Sequence, residues 1–322
     1  MNFEKSDRLF ERATETIPLA SQTFSKSVLQ LPKGAAPLFL DRASGPRTWD
    51  PDGNEYLDFV NGLLCVTLGH GDRTVNAAIR DQLELGISLS LPTELEATLA
   101  EILVRQIPCA EMVRYGKNGS DATSAAIRIA RAATGRNRVA CCGYHGWHDW
   151  YIGSTARHLG VPSEVRDLTS PFPYNNPGAL LDLLEDDPDG FAAVILEPTE
   201  YHEPENGFLE QLRETTERFG VVLVFDEMIT GFRIDDGGAQ AHYGVTPDLA
   251  AFGKGMANGM PISALVGRSD LMRQMENIFF SGTFGGEALS IAAAIATITR
   301  LKETNAVRHM TEYGAKLRCG VV

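Results

Sequence analysis

A single lysine, Lys254, stands between two glycines in LAAFGKGMANGMP, residues 249–261. An amine on a long flexible stem, set where the backbone is most permissive, is either a solvated loop tip or a nucleophile reaching a fixed electrophile. Two carboxylates hold comparable places: Glu197 ends the apolar run FAAVIL, and Asp226 ends VVLVF. A carboxylate at the end of a buried strand needs a partner, because an unpaired charge away from water is costly. A fourth group is the glycine turn GKNGS, residues 116–120, which opens onto a helical pattern with Ala126, Ile129, Ala130 and Ala133 on one face. Free N–H groups and the dipole at a helix start favour an anion, and Gly119, Ser120 and Asp121 are placed to receive one. A plain N-cap by Ser120 or Asp121 is the alternative. The turn does not match the G-x-x-x-x-G-K-[ST] pattern of nucleotide phosphate loops.

The stretch CGYHGWHDWY, residues 142–151, is dense in aromatic rings and histidines. His145 and His148 are three apart, but Gly143 and Gly146 break the helix that a metal site at this spacing requires, and no further ligand cluster is evident. We therefore expect no metal. Stacking of an aromatic face on a planar ring is the better functional reading, with a packed aromatic loop as the alternative for Trp147 and Trp150. Taken together, an amine, a strand-end carboxylate, an anion cup and a flat aromatic fit pyridoxal phosphate. The amine holds the aldehyde, and the carboxylate keeps the pyridine nitrogen protonated so that the ring accepts electrons.

The elements that must position these groups are legible in outline. FAAVILEP (191–198) and GVVLVFDE (220–227) are apolar, β-branched strands, with the helical pattern LEQLRETTERFG between them. Strand, helix and strand at this spacing form a βαβ unit, hence a mostly parallel sheet flanked by helices, an α/β fold. LAAF (249–252) and ISALVG (262–267) add two short strands on either side of Lys254. In open sheets of this kind ligands bind beyond the carboxyl ends of the strands, so Glu197, Asp226 and Lys254 are expected to face one crevice. Upstream, Phe10, Ala13 and Ile17 mark one face of a short helix, and PRTWDPDGNEYLDFV (46–60) reads as a hairpin. Helical patterns also occupy 73–85 and 93–106.

The formal net charge of −13 and the lack of a basic stripe exclude a general nucleic-acid binder. No stretch approaches a membrane span. Five cysteines without C-x-x-C spacing, and a charged N-terminus, point to a cytoplasmic protein with buried free thiols at Cys141 and Cys142.

At these same residues the chain resembles the class III (ornithine/ω-type) aminotransferases of fold-type I, with its nearest likeness to the glutamate-1-semialdehyde aminomutase branch. The likeness runs through WDPDGNEYLDFVNG, LGHGD, PTELEATLAEIL, NGSDATSAAIRIARAATGR, GYHGWHDW, LEPTE, FDEMITGFR, PDLAAFGKGMANGMPISALVG and SGTFGGEALS, in family order. It implies Lys254 as the Schiff-base lysine and proton shuttle, and Asp226 as partner of the ring nitrogen. It implies Tyr144 as the stacking aromatic with His145 beside it, Met228 on the opposite ring face, and Glu197 near the 3-hydroxyl side. Gly119, Ser120 and Asp121 match the phosphate cup, with Asp121 in place of the usual Glu or Gln. Thr283 matches a threonine that reaches the phosphate of the neighbouring subunit, which implies a homodimer. SGTFGGEALS departs from the commoner GTxxGNP. The implied layout is an N-terminal arm over 1–60, a large cofactor domain over 61–300 and the start of a C-terminal region over 301–322, with the small C-terminal domain missing or truncated. The implied reaction moves an amino group between an amine or amino acid and a keto acid or aldehyde. An intramolecular 2,1-aminomutase and a non-catalytic scaffold are the alternatives.

Overall fold

Among the described residues ten strands form two sheets. In the order of the chain they are β1 (Arg42–Ser44), β2 (Arg47–Trp49), β3 (Glu55–Leu57), β4 (Met112–Gly116), β5 (Arg138–Cys142), β6 (Thr169–Pro171), β7 (Phe191–Leu196), β8 (Val222–Asp226), β9 (Leu249–Phe252) and β10 (Ser263–Gly267). They come from a computed structural model that describes residues 1–199 and 201–321. Glu200, which closes the LEPTE match, and Val322 lie outside the described residues.

The chain divides into two compact units, Met1–Arg73 and Thr74–Val322. The first holds the helix Glu4–Thr14 and the antiparallel sheet β1-β2-β3. The expected hairpin is β2 and β3, and β1 adds a third strand from a stretch with no strand pattern of its own. Asp52, in the β2–β3 turn, accepts hydrogen bonds from the N–H groups of Lys5 (2.8 Å) and Ser6 (2.9 Å). The turn thus satisfies donors that the first turn of a helix always leaves open. Ile17 falls beyond the end of that helix.

The second unit is built on a seven-stranded sheet of order β4-β10-β9-β8-β7-β5-β6. β6, β5, β7, β8 and β9 pair in parallel, whereas β10 runs antiparallel to both β9 and β4. The reversed strand leaves β4 pointing the same way as β9. β7, β8, β9 and β10 are buried at every residue. Such all-apolar strands are what a sheet covered on both faces requires, since neither face is left for polar side chains. The helix Gly119–Thr134 supplies much of one cover, burying Ala122, Ala125, Ala126, Ile129 and Ala130 against the sheet.

Cys109, Cys141 and Cys142 lie buried as free thiols, and burial pushes Cys141 up to about 11 and Cys109 to about 12. At neutral pH Cys109 and Cys141 are uncharged packing groups. Among the described residues no helix is long and apolar enough to cross a membrane, and no cluster of three or more His, Cys, Asp or Glu could hold a metal.

Candidate active site

Because β4, β5, β7, β8 and β9 run the same way, their carboxyl ends lie along one edge of the sheet. Asp226 is the last residue of β8 and pairs in register with Ala251 of β9. Lys254 follows two residues after β9 ends at Phe252. Glu197 follows β7, Tyr144 and His145 follow β5, and the helix carrying Gly119, Ser120 and Asp121 follows β4. The topology brings all of these sequence-predicted residues to that edge. Thr283 stands apart from them, exposed on the loop before the helix Ala288–Glu303.

Asp226 is 2% exposed, and both of its oxygens are engaged. Oδ2 lies 2.9 Å from His145 Nδ1, and Oδ1 accepts the Met228 N–H at 3.2 Å. His145 is buried behind the carboxylate, with Nε2 3.0 Å from the carbonyl oxygen of Cys142. Both ring nitrogens therefore face oxygen acceptors. Trp150 stacks near the same ring (centroids 6.3 Å apart), and Tyr151 meets it edge-on at 5.2 Å. Trp150 is thus packing, whereas Trp147 is exposed.

Tyr144 is 62% exposed and offers an open aromatic face. Its backbone N–H donates to Glu197 Oε1 at 2.9 Å, so the buried Glu197 anchors the aromatic loop. Burial, followed by the charges of Asp226 and Glu197, raises the Tyr144 phenol above its ordinary value.

The cup is locked to this loop at three points. Ser120 Oγ accepts the Trp147 N–H (3.3 Å), Thr123 Oγ1 donates to the His145 carbonyl (3.0 Å), and Ser124 Oγ lies 2.6 Å from His148 Nδ1. Ser120 serves there as acceptor, so its own hydroxyl proton remains to be donated. The N–H groups of Gly119 and Ser120 open the helix and have no acceptor within it. Asp121 is used differently from the other two. Its carboxylate turns back to the N–H groups of Lys117 (2.9 Å) and Asn118 (2.8 Å), fastening the turn. A Cβ on Gly146 would lie 2.2 Å from Ser120 Oγ, and its φ of +101° is one that L side chains rarely adopt. Gly146→Ala is expected to destabilise the fold by about 2–4 kcal/mol, clash and backbone strain combined. It should also weaken anion binding at the cup. Urea unfolding with a phosphate titration checks both, and unchanged stability would overturn the packing argument.

Met228 explains two other glycines. A Cβ on Gly119 would stand 2.9 Å from its Sδ, and one on Gly253 would stand 2.7 Å from the same atom. Its thioether is therefore gripped between the cup and the residue before the lysine. The sharp turn near the lysine lies elsewhere than the flanking glycines lead one to expect. Gly253 is extended (φ −178°), and Lys254 itself takes the left-handed conformation at φ +34°. Non-glycine residues held in this region cost free energy and cluster at functional sites.

Sequence reasoning left the most deeply buried carboxylate without a part. Glu227, next to Asp226, points to the other face of the sheet, as alternation along a strand requires. It accepts the N–H groups of Ala239 (2.7 Å) and Gln240 (3.1 Å) and the hydroxyl of Thr230. Burial outweighs these bonds and raises its carboxyl above the usual range. Its signal was the doubled acid at the strand end.

The family profile of the class III aminotransferases matches residues 30–321. The chain is 39% identical to glutamate-1-semialdehyde 2,1-aminomutase 2 of Exiguobacterium sibiricum, covering 97% of this chain and 74% of that protein. It is 37% identical to 3-aminobutyryl-CoA aminotransferase of Cloacimonas acidaminovorans, over 98% and 77% of the two chains. Among solved structures, the FumI protein of Sphingopyxis sp. MTA144 in its PLP internal aldimine form matches with a TM-score of 0.92 and 34% identity, over 99% of this chain and 78% of that one. The chain spans about three quarters of the length of these relatives. With the fold, the family profile and these relatives in agreement, the chain belongs to the class III aminotransferases, pyridoxal-phosphate-dependent enzymes of fold-type I.

Proposed function

We propose that the strand-end crevice of the second unit is the transferase site, moving an amino group between an amine or amino acid donor and a keto acid or aldehyde acceptor. The observation that carries this reading is Asp226: buried, held at both oxygens, and one strand over from the lysine. The residues present fit the cofactor, since the crevice offers a fixed carboxylate, a helix start with open N–H groups, an exposed flat ring and an amine. Bound there, pyridoxal phosphate supplies an electron sink for negative charge at the substrate carbon.

The chain's own residues supply the rest. Lys254 would hold the cofactor through its aldehyde and, once released, would serve as the base that shuttles the proton of the 1,3-shift. Gly119 and Ser120 hold the phosphate through backbone N–H and hydroxyl donors, with Asp121 stiffening the turn that presents them. Tyr144 stacks on one ring face and Met228 packs on the other. Asp226 would pair with the ring nitrogen, and His145 acts through Asp226 by orienting it. Glu197 holds the Tyr144 loop in place. Thr283 reaches the phosphate of a second copy, so that the enzyme is a homodimer. The exposure of Thr283, Phe279 and Phe284 on one loop region supports this. In this reading residues 1–60 are an arm, 61–300 the cofactor domain and 301–322 the start of the C-terminal region, and the reduced thiols suit the cytoplasm.

Borohydride reduction of the protein with its cofactor, followed by peptide mapping, should label Lys254. A label on any other lysine refutes the assignment. Amino donors should then bleach the bound cofactor's absorbance, and an acceptor should restore it. The resemblance to an aminomutase at 39% identity supports a second reading. Product formed from one substrate with no external acceptor would establish it. Stoichiometric cofactor without turnover would instead mark a scaffold.

A further inference from the structure

Lys117 stands two residues before the first cup residue, Gly119, and no role in the chemistry above uses it. Its Nζ donates to Glu287 Oε2 at 2.8 Å, with the two side chains only 19% and 10% exposed. Glu287 is the N-cap of the helix Ala288–Glu303. Its Oε1 accepts the Leu289 N–H (2.7 Å), and its Oε2 accepts the N–H (3.2 Å) and hydroxyl (2.6 Å) of Ser290. The backbone of Lys117 is tied in turn to Asp121 in the first turn of the cup helix. One lysine thus links the start of the cup helix to the start of a second helix, and the loop with Thr283 ends directly at that second start. The glutamate stands where the commoner GTxxGNP pattern has asparagine, so this link is a property of this chain rather than of the pattern.

We propose that the Lys117–Glu287 pair is a strut that fixes the Thr283 loop against the phosphate cup of its own protomer, making both residues positioning residues for cofactor binding. The proposal rests on the assignment of the cup and of Thr283 made above. Each protomer's own cup and the threonine it lends to its partner then share one mechanical support. A largely buried, charge-assisted hydrogen bond suits this task better than an exposed pair, which solvent screens. Burial raises the Glu287 carboxyl, but Lys117, Ser290 and the Leu289 N–H more than offset that and hold it below the usual range. A lowered carboxyl contributes its full stabilisation above the unfolded value and loses it as pH falls through the folded one, so the strut is intact at neutral pH.

The test is an absorbance titration of stripped protein with pyridoxal phosphate. Wild type is compared with Lys117→Gln, Lys117→Arg, Glu287→Gln, Thr283→Ala and the Glu287→Gln/Thr283→Ala double variant. Lys117→Gln and Glu287→Gln should each weaken binding about tenfold, and Lys117→Arg should restore it. The double variant should be no weaker than the worse single one, because both changes disable the same loop. If the pair acted only through charge, Glu287→Gln would release a cation beside the phosphate and tighten binding. Tighter or unchanged binding, or additive losses in the double variant, overturns the strut. Should Glu287→Gln not fold, the contrast between Lys117→Gln and Lys117→Arg decides. Wild type that takes up no cofactor refutes the underlying site assignment, and with it the strut, before any variant is measured.

Discussion

Lys254→Ala is expected to lower kcat by about a thousandfold or more while leaving the fold and most of the cofactor affinity in place. In the proposed mechanism this amine does two tasks that no neighbour takes over. It is the nucleophile toward the aldehyde, and it is the group that carries the substrate proton. Alanine keeps the backbone that positions it: a left-handed φ of +34° at the start of a short 3-10 turn costs alanine about what it costs lysine. The cup at Gly119 and Ser120, the carboxylate of Asp226 and the platform of Tyr144 remain. The variant should therefore bind pyridoxal phosphate without a covalent link, and small exogenous amines should restore part of the turnover. Stopped-flow absorbance with and without added methylamine checks this. Turnover within tenfold of wild type would remove Lys254 from the mechanism.

Asp226→Asn should have the second largest effect, and on two readouts at once. Asparagine keeps the shape but cannot carry the charge against His145 and the ring nitrogen. Removing one preorganised electrostatic partner typically costs about a hundred- to a thousandfold in kcat. Weakening the hydrogen bonds to a buried carboxylate typically costs about 1.5–3 kcal/mol, and Asp226 is engaged at both oxygens. Asparagine's remaining hydrogen bonds put the expected loss at the lower end of that range. Asp226→Glu should recover stability less than charge, since the longer side chain cannot meet His145 Nδ1 and the Met228 N–H together. Urea unfolding and steady-state rates measured on the same samples provide the check. A variant that loses rate but no stability would mean that the bonds of Asp226 to His145 and the Met228 N–H do not support the fold.

The strands Phe191–Leu196, Val222–Asp226 and Leu249–Phe252 were readable because each is a short, uniformly apolar run, and such runs have few folds open to them. β4 and β5 were not. Met112–Gly116 carries Arg114 and Tyr115 among its apolar residues, and its place at the sheet edge, beside the reversed β10, is set by pairing partners far away in sequence. The Met228 position shows the same limit at one residue. Its type fits ring packing, but nothing local says that its sulfur also forces glycine at 119 and 253. The resemblance sets His145 beside Tyr144, and folding turns its ring inward onto Asp226. Asp121 was counted with the cup, whereas its carboxylate closes the turn behind it.

Residue order was enough to establish the α/β class and the parallel core, and to single out the groups proposed to hold an aldehyde, a ring nitrogen and a phosphate. These depend on local apolar patterning and on side-chain type, both of which are written along the chain. Folding alone decided which partner each charge received: His145 for Asp226, the Tyr144 N–H for Glu197, Lys117 for Glu287. Those pairings join residues 53 to 170 positions apart, and they form only once the sheet order has brought the ends of separate strands together.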